Sequence, residues 1–234
     1  MPNSVLRFDV GAVRARLPGR KIDWFEILDS TMIEARRDLS PGRIVLADEQ
    51  TAGMGRHGRR WISDAGTGLY VSMVLAAKPA PVMMLSLGLA TREAIGCGDI
   101  RWPNDVLING KKCAGVLAQV EGDAIIAGIG INVSQTAFPA DLETPATSLL
   151  LEGVRISRED LLVALIQSVD RFTALASDEI LRQFPDVRGK RVKVEANGRT
   201  IEGVTCGLDP AGFLRVREDN GTETTILAGG VRPI

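Results

Sequence analysis

The chain has 234 residues, enough for one large domain or a medium domain with a small one, and its 28 Lys and Arg against 29 Asp and Glu leave a net charge of -1. That balance excludes a global attraction to nucleic acid or to an anionic membrane, so any basic site has to be local. Cys97, Cys113 and Cys206 form no C-x-x-C pair and read as reduced core thiols, while Met1 to Gly19 carries Arg7, Arg14 and Arg16 without a cleavable apolar segment and no run of 18 apolar residues occurs. The expectation is a soluble, cytoplasmic protein.

Ile22 to Leu28 and Arg43 to Glu49 read as strands flanking a helix from about Thr31 to Leu39, which the Pro41-Gly42 turn ends. Within Asp29-Ser30-Thr31, Thr31 and Glu34 fit a capping box, and a hydroxyl placed there can equally bind a small polar ligand group. Gly68 to Leu75 alternates like a strand, and Pro81 to Ile95 has helical spacing. Three strands follow as a meander, Asp99 to Ile108, Cys113 to Val120 and Ala124 to Val133, joined at Asn109-Gly110 and Glu121-Gly122-Asp123. A Pro-containing loop spans Phe138 to Pro145. Leu161, Leu162, Leu165, Val169 and Phe172 then mark one face of a helix over Ser157 to Ala176, with Ser157 as its cap. After Phe184-Pro185, turns at Ala196-Asn197-Gly198, Asp209 to Gly212 and Asp219-Asn220-Gly221 punctuate short strands, as in a small all-β barrel. The boundary falls at residue 186.

Gln50 to Trp61 holds three glycines and three arginines between two strands. Glycine admits close backbone approach and arginine makes bidentate phosphate contacts, although a solvated basic loop has the same composition. Gly53, Gly55 and Gly58 satisfy G-x-G-x-x-G, but that fingerprint needs a helix opening at the glycines, and here the chain runs on toward the strand at Gly68. Arg101-Trp102-Pro103-Asn104-Asp105 places a proline beside an Asn-Asp pair in an apparent strand, which predicts a bulge aiming polar side chains outward, with Lys112 across the following turn. An ordinary hairpin with exposed lysines is the alternative. Gly128 to Val133 is an apolar strand with two glycines and Asn132, a pattern that fits close approach by a ligand or a strand. The sequon at Asn132 is a chance match in a cytoplasmic chain. His57 sits among arginines that disfavour its charged form and reads as a loop residue, and one imidazole builds neither a triad nor a zinc site.

Asp29-Ser30-Thr31, Gln50 to Trp61, Trp102 to Asp105, Lys112 to Gly115 and Gly128 to Asn132 together resemble the biotin protein ligases in content, order and spacing, over about residues 22 to 234. The resemblance implies an α+β architecture. A mixed β-sheet catalytic domain with helices packed on one side, residues 1–185, would precede a small SH3-like β-barrel, residues 186–234. It implies ATP and biotin as substrates, Mg2+ with the nucleotide, and a biotin carboxyl carrier protein or domain as partner. By position, Ser30, Thr31 and Gln50 would hydrogen-bond the biotin rings, and the backbone from Gly53 through Met54 and Gly55 to Arg56 would close over them. Arg56 and Arg59 would meet phosphates, Trp61 and Asn132 would border adenine, and Lys112 would face the biotin carboxylate with Gly115 in the same binding set. Asn104 and Asp105 would line the entry of the acceptor lysine. Lys112, Arg56 and Asp105 are the residues expected to carry catalysis, with the loop ordering over the adenylate.

Three departures accompany the resemblance. Met32 follows Ser-Thr where the family often has a polar residue, and Met54 and His57 replace more basic loop residues. The distance from Met1 to Asp29 leaves no room for a DNA-binding module, so a ligase without nucleic-acid binding is expected, and both monomer and homodimer stay open. A lipoate or octanoate ligase or transferase on the same fold, or a non-catalytic adenylate-binding module, are the rival readings.

Overall fold

The computed structural model describes residues 8–75, 80–196 and 198–234, with the side chains of His57 and Pro233 not included. Arg7 and Asn197, used above for the N-terminal segment and for one turn, lie outside the described residues, as does the His57 side chain.

Twelve strands among the described residues form two sheets. The larger runs β1 (Ile22–Leu28), β2 (Ile44–Gln50), β3 (Gly68–Leu75), β7 (Ala124–Asn132), β6 (Lys111–Glu121), β5 (Asp105–Ile108) and β4 (Asp99–Arg101). Only β1 and β2 pair in parallel, across the α2 crossover (Thr31–Ala35), so the sheet is mixed. The second sheet is antiparallel, in the order β11 (Glu223–Ile226), β10 (Leu214–Glu218), β9 (Arg199–Leu208), β8 (Arg191–Ala196) and β12 (Gly230–Pro233), the small all-β unit that the turn spacing predicted and the resemblance described as SH3-like.

Alternation along the central strands separates the two faces of the large sheet. Ile44, Leu46, Leu69, Val71, Val116, Ile129 and Ile131 point to one face and join the main core. There they meet α3 (Met83–Ile95) and α4 (Arg158–Thr173), which pack on each other. Helix α4 starts as its sequence dictates: the Ser157 side chain accepts from the Asp160 N–H, and Glu159 and Asp160 complement the helix dipole. Its seven apolar core residues, Leu161 through Phe172, each add about 1.5–3 kcal/mol by leaving water. The expected helix layer is this face. Short α2 lies on the other, where Met32 and Ala35 pack with Val45, Val74 and Ile126.

Four local expectations change. The helix after Ser30 ends at Ala35 rather than Leu39, because the buried Arg43 guanidinium takes the carbonyls of Glu34, Ala35 and Asp38, and Asp38 turns the chain through the Ser40 N–H. The capping box does not form: Ser30 is the cap, and Glu34 pairs with Arg43 and Arg37 instead. Asp99 to Ile108 is not one bulged strand but a hairpin, β4 against β5, reversing at Trp102 to Asn104 with a cis Trp102–Pro103 peptide. The bulge sits one step on, between Val106 and Leu107 against β6. Short helices α1 (Val10–Arg16) and α5 (Ser177–Gln183) carried too little apolar periodicity to be read from sequence.

Of the three thiols only Cys113 is buried, and burial pushes it up to about 12; Cys97 and Cys206 are half-buried. The two sheets meet at the hairpin, where the buried Trp102 indole donates to the Gly212 carbonyl at 3.0 Å. The start of β12, with Arg232 paired to Glu143, stands at the edge of the large sheet's open face.

Candidate active site

Where α2 leaves the sheet face uncovered, Gly115, Gly128 and Gly130 lie side by side, Gly115 opposite Gly130 and Gly128 opposite Leu117. A sheet surface without side chains leaves room for a ligand. The space is filled by two side chains. A Cβ on Gly130 would stand 2.4 Å from the Trp61 ring, and one on Gly128 would stand 2.6 Å from the Met32 sulfur. Around this strip opens a cavity of about 610 Å³, walled by the Gln50 to Trp61 segment, by residues 137–146 and by Gly229 to Arg232 of the second sheet.

At one end is a buried polar socket. Gln50 accepts from the Thr31 N–H at 2.8 Å and from its hydroxyl at 3.1 Å, and donates to Ser63 at 2.8 Å. Ser72 donates to the Thr31 hydroxyl at 2.7 Å. Ser30 caps α2 beside them. Ser63 and Ser72 were not singled out from the sequence. The available signal was Ser72 itself, the one serine in the otherwise largely apolar strand Gly68 to Leu75.

At the other end cations gather. Asp105 opens β5, with Lys112 Nζ 2.7 Å from one oxygen and Arg101 Nη2 2.5 Å from the other. Burial by itself raises the Asp105 carboxyl pKa, but Lys112 and then Arg101 outweigh it and hold it below the usual carboxylate range. Arg56 donates to the Asn104 side chain at 2.9 Å; burial lowers its pKa, opposed by Asp105, and Arg59 lowers it further. Asn104 in turn donates to the Val116 carbonyl at 2.6 Å, which ties the hairpin to β6. Arg59 pairs with Glu143 at 2.8 Å, and Arg232 of β12 takes the same carboxylate at 2.7 Å. Glu143 and Arg232 carried no sequence signal, since only the fold brings them to the cavity.

The glycine segment folds back on itself. Met54 bridges Arg60, Gln50 bridges Ser63, and a single 3-10 turn covers Arg56–Gly58. No α-helix opens there, as the rejected dinucleotide fingerprint would require. Met54, Gly55 and Arg56 line the cavity, but Gly53 does not: the Trp61 limb packs against it, and a Cβ there would meet the Trp61 carbonyl at 2.5 Å. Trp61 lies over Gly115 and Gly130, with Lys112 Nζ 5.4 Å from the ring centroid, and its buried indole N–H finds no acceptor among the described residues. Asn132 reaches the wall with its amide hydrogens directed at the Thr147 and Lys112 carbonyls.

A buried polar socket, a bare floor and a cluster of cations thus share one cavity. Residues 24–135 match the model of the biotin/lipoate A/B protein ligase family, and residues 188–231 match that of the biotin protein ligase C terminal domain. A biotin acetyl-CoA-carboxylase ligase of Paracoccus denitrificans is 36% identical, over 83% of this chain and 93% of that one. The corresponding ligase of Mycobacterium tuberculosis is 33% identical, over 81% of this chain and 77% of its own length. The chain belongs to the biotin protein ligase family. Its fold is similar to that of the Aquifex aeolicus biotin protein ligase solved with biotin and ATP, with a TM-score of 0.79 and 29% identity over 92% of this chain and 99% of that one. Among the described residues, no helix is long and apolar enough to cross a membrane.

Ser72 is fully buried and its hydroxyl holds Thr31. Ser72→Ala is expected to cost about 1 kcal/mol, for one lost buried hydrogen bond, and to lower the melting temperature by about 2–4 °C. Thermal unfolding by circular dichroism reads this, and an unchanged midpoint would mean the socket is not held through Ser72.

Proposed function

We propose that the chain is an ATP-dependent ligase that makes biotinyl-5'-AMP from biotin and ATP, then transfers the biotinyl group to a lysine of a biotin carboxyl carrier protein or domain. The observation that carries this reading is the one cavity joining Thr31 and Gln50, which Ser72 and Ser63 hold from behind, to the Lys112, Arg56 and Asp105 cluster. A ring system with hydrogen-bonding edges suits the socket, and a carboxylate meeting a phosphate suits the cations. We assign residues 1–185 to catalysis and 186–234 to a C-terminal unit whose Arg232 and Gly230 reach the cavity wall. Biosynthetic ATP and free thiols fit a cytoplasmic setting. The partner is a protein, with no nucleic acid involved.

In the first half, a biotin carboxylate oxygen attacks the α-phosphorus of ATP, the new O–P bond forms, and pyrophosphate leaves with the electron pair of the broken P–O bond. Two anions must approach while charge builds on the leaving group, so fixed cations are the main lever. Lys112 and Arg56 supply them, Arg56 from a half-buried position where its field is only partly screened. Mg2+ enters as part of the substrate, carried by the triphosphate. Ser30, Thr31 and Gln50 hold the rings, Met54 and Gly55 cover them, and Gly115 and Gly130 give the Trp61 indole room to lie flat against the sheet as one wall of the site. Trp61 and Asn132 border the nucleotide side, and Arg59 exchanges Glu143 for phosphate. In the second half, the acceptor ammonium gives one proton to water, the amine forms a C–N bond at the acyl carbon and its nitrogen gives a second proton to water, and AMP leaves with the electron pair of the broken C–O bond. Asn104 and Asp105 stand at the entry of that amine.

Purified protein with ATP and Mg2+ is expected to release pyrophosphate with biotin but not with lipoate, and to label a biotin carboxyl carrier domain. Lipoate-dependent release in place of biotin would move the reading to a lipoate ligase, and no acid-dependent release would end the ligase reading. Lys112→Ala should reduce adenylate formation by about 10²-fold with the fold retained, as for removal of one preorganised charge. Near-normal turnover in that variant would take Lys112 out of the mechanism.

A further inference from the structure

Resting on the ligase reading, we infer that Arg101 is a positioning residue for the transfer half-reaction, acting through Asp105. Arg101 closes β4 and stands directly opposite Asp105 in the β4–β5 pairing. Its Nη2 reaches Asp105 Oδ2 at 2.5 Å and the Thr144 hydroxyl at 3.1 Å. The Arg101 side chain is 17% exposed and that of Asp105 12%, so the pair is little screened by water. Lys112 holds the opposite oxygen, Oδ1, at 2.7 Å. The carboxylate therefore has a cation on each oxygen, supplied from strands on both sides of it, and it cannot turn without breaking one ion pair. The Thr144 contact fixes Arg101 from a third direction, on the cavity wall formed by residues 137–146.

This arrangement sets what Asp105 does. The charged groups facing it are Lys112 from β6, Arg101 from β4 and Arg56 from the glycine segment. A carboxylate held below its usual range by such partners is a weak proton acceptor. Asp105 works as a fixed negative charge at the amine entry, and Arg101 keeps it ionised and aimed. Arg101 touches neither biotin nor ATP in this account, since the cations assigned to the phosphates are Arg56 and Arg59. For a group whose folded pKa is depressed, the ionised form is lost as pH falls through that pKa. Removing Arg101 leaves burial opposed mainly by Lys112, so the Asp105 pKa rises and protonation sets in at higher pH.

The test follows both halves of the reaction across the acidic pH range in the full chain, by pyrophosphate release for adenylation and by single-turnover labelling of a carrier domain from preformed biotinyl-5'-AMP. Arg101→Gln keeps length and hydrogen-bonding capacity but removes the charge. Transfer is expected to fall about tenfold more than adenylation, with its acidic limb moved up by about one pH unit. Arg101→Lys, which restores the charge, should return the limb to its wild-type position. An unmoved limb in Arg101→Gln, equal losses in both halves, or an Arg101→Lys protein as impaired as Arg101→Gln would each overturn the inference. Should Arg101→Gln fail to fold, Arg101→Met, which also removes the charge but keeps an apolar side chain of similar reach, is read in its place: a raised limb supports the role and an unmoved one overturns it. Failure of the wild-type chain in both halves is a different result, and it contradicts the ligase reading itself.

Discussion

Three residues without side chains, Gly115, Gly128 and Gly130, occupy neighbouring positions on the face of the large sheet that the long helices do not cover. Elsewhere on these strands alternation fills both faces, and Ile126 one step earlier packs against Met32 and Val45. At the glycines the backbone is bare, and the cavity exists because nothing grows from it. Trp61 and Met32 rest on this surface, which places the indole between the strip and the cations. Substituting these positions would not weaken the sheet by propensity, since most residues suit a strand better than glycine. Their cost would be paid in the cavity.

The second organising constraint is electrostatic. A chain of net charge -1 gathers Arg56, Arg59, Arg101, Lys112 and Arg232 around one cavity, and each has a defined counterpart. Asp105 neutralises Lys112 and Arg101, Asn104 accepts from Arg56, and Glu143 joins Arg59 to Arg232 across the two sheets. Like charges held this close repel unless anions intervene. The anions are thus part of the site: the buried one, Asp105, is fixed on both oxygens, while the exposed Glu143 is well placed to yield to an incoming phosphate.

Much of the fold was legible because its signals are local. Alternation located β1, β2, β3, β6 and β7 to within a residue or two, apolar spacing with a Ser157 cap located α4, and Asn109-Gly110 marked the turn that sets Lys112 near Asp105. The resemblance supplied the family, on which the family models and relatives agree, and with it the candidate site segments. What escaped depends on partners distant in sequence. The early end of α2 is imposed by Arg43, and the reversal at Trp102 to Asn104 looked like a bulge because β4 and β5 have matching apolar patterns. Ser63, Ser72, Glu143 and Arg232 join the site through contacts spanning up to 89 positions, which no short motif encodes.

If the bare strip makes the binding site, adding one methyl group to it should be felt by the ligand more than by the fold. The measurement is calorimetric titration of wild type and Gly130→Ala with biotinyl-5'-AMP, the one ligand expected to span the cavity, alongside urea unfolding of both proteins. Affinity is expected to weaken by at least about tenfold, about 1.4 kcal/mol, because the added methyl group displaces the Trp61 ring that borders the ligand, while the displaced ring keeps any fall in the unfolding midpoint small. Affinity within twofold of wild type would contradict the account, because the adenylate would then lie somewhere other than beside Trp61.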